Sequence, residues 1–210
     1  MFYDRIDAGQ QLAESLEEFK DRQDAIVITI PRGGVVPAFI VAKKLHLPLE
    51  VTMIKKLGHP TNPEYAIGAV SMNGLVLNSH RGVSKGYIEK ETKRLQNLLK
   101  ERYQLYHGNK PPIEVKNKIA IVVDDGIATG KTLVAALELL RKENPSEIIV
   151  AVPVGPTDTV NWINKYADRV ICLEQYDDFY AIGLYYKDFG QVNDEEVVKL
   201  MNKANQVNAS

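Results

Sequence analysis

Four short runs of apolar, largely β-branched residues constrain this chain most: AIVITI (Ala25 to Ile30), KIAIVV (Lys118 to Val123), EIIVAVPV (Glu147 to Val154) and RVICL (Arg169 to Leu173). Beyond their first residues none alternates apolar with polar positions, so each suits a strand covered on both faces. Segments with helical spacing lie before, between and after them. Leu12, Leu16 and Phe19 share one face of Asp7 to Lys20, and Val35 to Leu45 reads as a helix. Ile88, Leu95, Leu99, Tyr103 and Tyr106 stripe Ser84 to His107, with Ser84 as its cap and Gly108 as its stop. Leu133, Leu137 and Leu140 mark another helix, Pro156 can open one at its first turn, and the tail from Asn193 predicts a short helix that frays. Buried strands alternating with helices predict an α/β fold: a mostly parallel open sheet flanked by helices, with right-handed crossovers.

The middle of the chain breaks this rhythm. LEVTMIKK (Leu49 to Lys56) reads as a strand, GHPTNPE (Gly58 to Glu64) as a loop opened by two prolines, and AIGAVSMNGLVLN as two short strands around Asn73-Gly74. The length, 210 residues of which 45% are hydrophobic, suits a single domain over residues 1–210. A net charge of −1 gives no global positive field, so neither nucleic acid nor an anionic membrane is expected as a partner. Cys172 is the only cysteine, which excludes an internal disulfide, and the four histidines lack zinc-ligand spacing. The first residues carry no apolar signal-peptide core and no window approaches a membrane span, so a cytoplasmic location is expected.

The segment IVVDDGIATGKT (Ile121 to Thr132) runs a buried strand into two adjacent carboxylates and then a glycine- and threonine-rich turn before a helix. Ligands of parallel sheets bind beyond the carboxyl ends of the strands, where such a turn lies. It is not a P-loop, because only three residues separate Gly126 from Gly130, and it lacks the dinucleotide G-x-G-x-x-G spacing. Backbone N–H groups from Ile127 to Thr132, with the hydroxyls of Thr129 and Thr132, suit one phosphate monoester at a helix N-terminus. Two carboxylates cannot be buried unpaired cheaply, but a vicinal diol supplies donors to both. Asp124 and Asp125 for the diol, and the amides of Gly126, Ile127, Ala128, Thr129, Gly130, Lys131 and Thr132 for the phosphate, describe a receptor for ribose 5-phosphate. The plainer possibility is that Asp125 caps the helix and Asp124 faces water.

This segment resembles the 5-phosphoribosyl 1-pyrophosphate (PRPP) signature of type I phosphoribosyltransferases. ITIPRGGVVPAFIVAKKLHLPLEV (Ile28 to Val51) is similar to the pyrophosphate loop and following helix of xanthine-type members, and DRVICLEQYDDFYAIGLYYKDF (Asp168 to Phe189) to the purine-facing end of the hypoxanthine-guanine enzymes. NPEYAIGAV, VDDGIATG and DFGQVNDEEV are typical of a bacterial and archaeal group whose acceptor is not established.

The resemblance implies transfer of ribose 5-phosphate from PRPP to a nitrogenous acceptor, a nucleobase foremost, with release of pyrophosphate and Mg2+ bound mainly through PRPP and water. Arg32 would stabilise the departing diphosphate, with Gly33 and Gly34 letting amides approach it and a cis peptide between Pro31 and Arg32. Lys55, with Lys56, would reach the diphosphate from a flap at about 55–78, and Asp125 joins Arg32 and Lys55 as a catalytic candidate. A hood at about 174–190 would place Phe179 or Tyr180 on the acceptor ring, although these aromatics, with Tyr185, Tyr186 and Phe189, equally suit core packing. Ala128 stands where 6-oxopurine enzymes carry a carboxylate, leaving Glu64, Asp177 and Asp178 as substitutes for a base. His59 reads as a surface loop residue and Trp162 as core. A homodimer is expected, and a PRPP- or nucleotide-sensing regulator on the same fold is the alternative to an enzyme.

Overall fold

The computed structural model describes residues 1–78, 82–108 and 110–207. Its elements run α1 (Arg5–Ser15), β1 (Ala25–Thr29), α2 (Val35–Leu45), β2 (Leu49–Val51), β3 (Ile54–His59), β4 (Asn62–Ser71), β5 (Leu75–Leu77) and α3 (Lys85–His107). They continue with β6 (Ile119–Val123), α4 (Lys131–Arg141), β7 (Glu147–Pro156), α5 (Thr157–Ile163), β8 (Arg169–Tyr176) and α6 (Asp194–Val207). Among the described residues, none of the helices is long and apolar enough to cross a membrane.

The apolar runs form a five-stranded sheet in the order β2-β1-β6-β7-β8, with every neighbouring pair parallel. Because successive strand residues point to opposite faces, each run divides between two cores. Ala25, Val27, Ile119, Ile121, Val123, Ile149 and Ala151 join Leu12 of α1, Val41 of α2 and Val197 and Met201 of α6. Ile26, Ile28, Ala120, Val122, Ile148, Val150 and Val152 join Leu133 and Leu137 of α4 and Val160 and Ile163 of α5. The chain leaves β1 toward β2 on one side and returns to β6 on the other. The loops after β1 and β6 therefore emerge side by side at the point where strand order reverses, the crevice in which open α/β sheets hold ligands.

The middle of the chain departs from its sequence reading. Leu49 to Lys56 is not one strand: β2 ends at Val51, and the chain re-enters a second, antiparallel sheet at Ile54 in the order β3-β4-β5. The expected loop from Gly58 to Glu64 is a hairpin bend confined to Pro60 and Thr61, between His59 of β3 and Asn62 of β4. Register shifts around Gly58 absorb the irregularity, and β5 pairs with β4 only over Gly68–Val70, so Pro63 lies beyond its reach and breaks no ladder on that side. The turn at Asn73-Gly74 does join β4 to β5. The first helix begins earlier than Asp7 because the Asp4 carboxylate accepts the N–H groups of Ile6 and Asp7, and it ends at Ser15 before a short 3₁₀ turn, Glu17–Phe19. Ser84 caps α3 and Gly108 ends it as expected. Asn193 accepts the Glu196 N–H at the head of α6, and the end beyond Val207 lies outside the described residues.

Helix α3 is fastened to the sheet by one buried carboxylate. Glu50 of β2 accepts from the N–H groups of Val51 and Ile113, both at 2.8 Å, and from the Tyr103 hydroxyl at 3.2 Å. His107 Nε2 lies 3.0 Å from Glu50 Oε1 without hydrogen-bond alignment, its ring stacked on Tyr103 at 4.4 Å. Burial and the Glu50 charge push the Tyr103 hydroxyl up, so it stays protonated and donating. Removing the carboxylate leaves three donors without their acceptor. Glu50→Ala is expected to lower the unfolding free energy by about 3–5 kcal/mol in urea titrations; a loss below about 1 kcal/mol would show that the carboxylate does not anchor α3.

Candidate active site

The two loops at the strand-order reversal pack directly on each other. An added Cβ at Gly34 would lie 2.5 Å from Asp124 Oδ1 and 2.7 Å from Thr29 Oγ1, and one at Gly33 would overlap Asp125 Oδ2. The glycines of PRGG therefore make room for the acidic pair itself, in addition to any role in admitting phosphate oxygens. The peptide between Pro31 and Arg32 is cis, the geometry the resemblance implies.

The two carboxylates sit in different surroundings. Asp125 is 8% exposed, and its Oδ2 accepts from Arg5 Nε at 2.7 Å. Arg5 also donates to the Gly190 carbonyl and lies over the Phe189 ring at 3.7 Å. The Tyr186 hydroxyl donates to the Asp125 carbonyl at 2.6 Å, and burial keeps that phenol protonated. Asp124 accepts the Asp125 N–H at 2.9 Å. Burial first, and the Asp125 charge second, hold its carboxyl well above the usual carboxylate range. Burial also raises Asp125, against the pull of the Arg5 hydrogen bond. One guanidinium faces two acids, which leaves the pair short of positive charge. Asp125 does not cap α4, whose N-cap is Gly130, and its carboxylate is held by Arg5; Asp124 stays partly exposed.

The turn after the pair divides in two. Gly126 and Ile127 are buried, and the Ile127 N–H donates to the Val154 carbonyl at 2.8 Å. Ile127 thus anchors the loop to β7, and its expected role as an amide donor to phosphate is withdrawn. Ala128, Thr129, Lys131 and Thr132 are exposed, with Gly130 between them packed toward Thr159, Ile163 and Trp162 of α5. Helical bonding in α4 begins with the Val134 N–H on the Gly130 carbonyl, so the amides of its first residues have no acceptor within the helix. An oxyanion at this turn would meet those amides and the two threonine hydroxyls.

A third group of residues lies across PRGG from the acidic pair. Arg32, Lys55 and Arg102, with Ile30, Ile54 and Leu99, line a cavity of about 280 Å³. Lys56 is exposed on the same strand, and His59 sits beside Tyr65 at the hairpin tip. Glu64 lies on β4, but its side chain is outside the described residues. In the hood, Phe179 is stacked on Tyr185 with centroids 4.8 Å apart, and Tyr180 is 85% exposed. Besides Tyr186, Ile182 of the hood meets the acidic loop, its Cγ2 lying 2.7 Å from where a Cβ on Gly126 would be. Asp177 and Asp178 are exposed, and Trp162 is partly buried, packed edge-on to Tyr166 against the second core rather than inside it. Arg5 and Arg102 escape the sequence reading: each lies outside any motif, and only the fold brings them to the loops.

A phosphoribosyl transferase domain is recognised over residues 3–189, most of the chain. The chain belongs to that family. It is 39% identical over 211 residues to two Mycobacterium tuberculosis proteins, "Putative phosphoribosyl transferase Rv0571c" (strain H37Rv) and "Putative phosphoribosyl transferase MT0597" (strain CDC 1551). The alignments cover 98% of this chain and 47% of each relative, so the chain spans about half the length of the curated relatives it matches. The crystal structure of the protein TT1426 from Thermus thermophilus superposes with a TM-score of 0.85 at 38% identity, covering 96% of this chain and 98% of that one. The open parallel sheet is thus the fold of this phosphoribosyl transferase domain.

The charge shortage at the acidic pair has a measurable consequence. A carboxyl whose folded pKa is raised weakens the fold as pH climbs from the unfolded value through the folded one. Asp124→Asn removes that charge, so it is expected to raise the melting temperature at pH 7 by roughly 2–4 °C. The gain should shrink as pH falls toward the ordinary carboxylate range, where Asp124 is protonated in both states. A melting temperature at or below the parent's at pH 7 would show that the Asp124 charge is already compensated.

Proposed function

We propose that this domain transfers the ribose 5-phosphate of PRPP to a nitrogenous acceptor, a nucleobase or similar heterocycle, and releases pyrophosphate. The observation that carries the reading is the acidic pair, packed against Gly33 and Gly34 with Arg5 hydrogen-bonded to Asp125, on the same loop as the exposed Ala128, Thr129, Lys131 and Thr132. A 2,3-diol offers donors to the acid and a 5-phosphate offers acceptors to the amides and to Thr129 and Thr132. Asp125, held by Arg5, keeps one oxygen for the second hydroxyl. The ribose then lies with C1 toward PRGG, and the diphosphate reaches Arg32, with Lys55 beside it.

In the reaction the acceptor nitrogen donates its lone pair to C1, the C1–O bond to diphosphate breaks, and that electron pair leaves on the diphosphate. Arg32 and Lys55 meet the charge that develops there, and fixed cations of this kind cost no reorganisation when the bond breaks. Among the described residues no three His, Cys, Asp or Glu side chains gather to hold a metal. In this reading Mg2+ would take most of its ligands from PRPP and water, with Asp124 and Asp125 as nearby hard oxygen donors, and would offset charge on the departing group. The acceptor meets the hood, where Ile182 offers an apolar contact. A homodimer and a cytoplasmic setting belong to this reading.

A second reading, a PRPP or nucleotide sensor, is favoured by the exposed Ala128, which offers no base to the acceptor. Magnesium-dependent pyrophosphate release, assayed with PRPP and a panel of purines and pyrimidines, separates the two. Turnover with at least one acceptor is expected, with Arg32→Ala lowering kcat about tenfold or more while leaving the melting temperature near the parent's. Tight PRPP binding with no release across the panel would establish the sensor, and absence of PRPP binding would remove both.

A further inference from the structure

The cationic cavity beyond PRGG is lined by a residue that the proposed reaction has not used, Arg102, and a carboxylate outside it pairs with the same cations. Arg102 lies on α3, a turn before Tyr106, and both point to the head of α6. There the Asp194 carboxylate accepts from the Tyr106 hydroxyl at 2.6 Å and from Arg102 at 3.1 Å, and it stands 3.7 Å from Arg32. The Tyr106 hydrogen bond first, and Arg102 after it, hold that carboxyl below the usual carboxylate range, so it is ionised at neutral pH. Arg102 also donates to the Tyr106 hydroxyl at 3.2 Å, which closes the group into a triangle.

The charges do not balance in this group. Arg32, Lys55 and Arg102 line one cavity of about 280 Å³, while Asp194, outside its lining, pairs with Arg102 and Arg32 as a single negative charge. Asp194 is not the cap of α6, since Asn193 fills that position, so its carboxylate is not needed to start the helix. A planar guanidinium that already holds a carboxylate has the donor fork that a phosphate group also takes. At 3.7 Å the Arg32 contact is Coulombic rather than a hydrogen bond, and an incoming anion can replace it without leaving a donor stranded.

We propose that Arg102 is a third diphosphate-binding residue beside Arg32 and Lys55, and that the Asp194 carboxylate competes with the diphosphate for Arg32 and Arg102. Binding of the leaving group then loosens the hold of α3 on α6, and its departure restores it. The inference rests on the diphosphate placement proposed above and adds a residue, a competitor and a coupled helix to it.

The test is calorimetric titration of the full chain with inorganic pyrophosphate in Mg2+ buffer, with ribose 5-phosphate titrated separately as a probe of the Asp124 side. Asp194→Asn keeps the shape and an acceptor for Tyr106 but removes the charge, and it should tighten pyrophosphate binding by about two- to fivefold. Arg102→Met should weaken pyrophosphate binding by about tenfold, and neither change should move ribose 5-phosphate affinity. Unchanged pyrophosphate affinity in both variants, or no pyrophosphate binding in any form, overturns the inference; if ribose 5-phosphate still binds, the sugar site of the proposed function stands without it. Loss of both ligands in the parent removes the underlying reading as well. Should Asp194→Asn fail to fold, Arg102→Met decides alone, its fold checked by thermal unfolding.

Discussion

The close contact between two glycines and two carboxylates governs the site. Gly33 and Gly34 follow β1, Asp125 and Asp124 follow β6, and the strands are neighbours because the sheet reverses order between them. With no Cβ on either glycine, the loops meet at van der Waals distance and pin each other. Asp125 loses most of its water and Asp124 part of it, which raises their proton affinity. A buried charge that the fold leaves undercompensated is a poor device for stability, and its retention makes sense where a ligand supplies the missing donors.

The cationic side is built from more distant pieces. Arg32 comes from the loop after β1, Lys55 from the first strand of the antiparallel sheet and Arg102 from the long helix that follows it. Glu50 fixes the C-terminal half of that helix through Tyr103, and Tyr106 and Arg102 lie on the same half. Acidic and basic halves thus flank a single loop, PRGG, and a substrate that is a diol at one end and an anion at the other would span it.

How much of this is legible in the sequence follows from the range of the forces involved. The parallel strands can be read because burial on both faces writes an unbroken apolar run, a local signal. The caps at Asp4, Ser84 and Asn193 are local too, though the apolar spacing points only to the last two. The hairpin between β3 and β4 is hidden because Gly58, Pro60 and Pro63 look like a loop, and only the limited reach of β5 and the bulge near Gly58 make room for Pro63. Ile127 passes for a phosphate donor because a sequence does not say which amide will meet the carbonyl of Val154. Arg5 pairs with a residue 120 positions away and Arg102 with one 92 away, with no periodicity linking either pair.

The attachment of Asp125 has a consequence for how such a protein can change. Arg5 ties this one acid to the Gly190 carbonyl and the Phe189 face, and Tyr186 ties its main chain to the hood. The acidic loop and the hood are therefore a single mechanical body, and remodelling Tyr186 or Phe189 would disturb the Asp124–Asp125 pair as well. Freedom to vary is left to the outer tip, Asp177, Asp178 and Tyr180, whose exposed side chains carry none of that fastening. Divergence in what the hood receives would be expected to begin there.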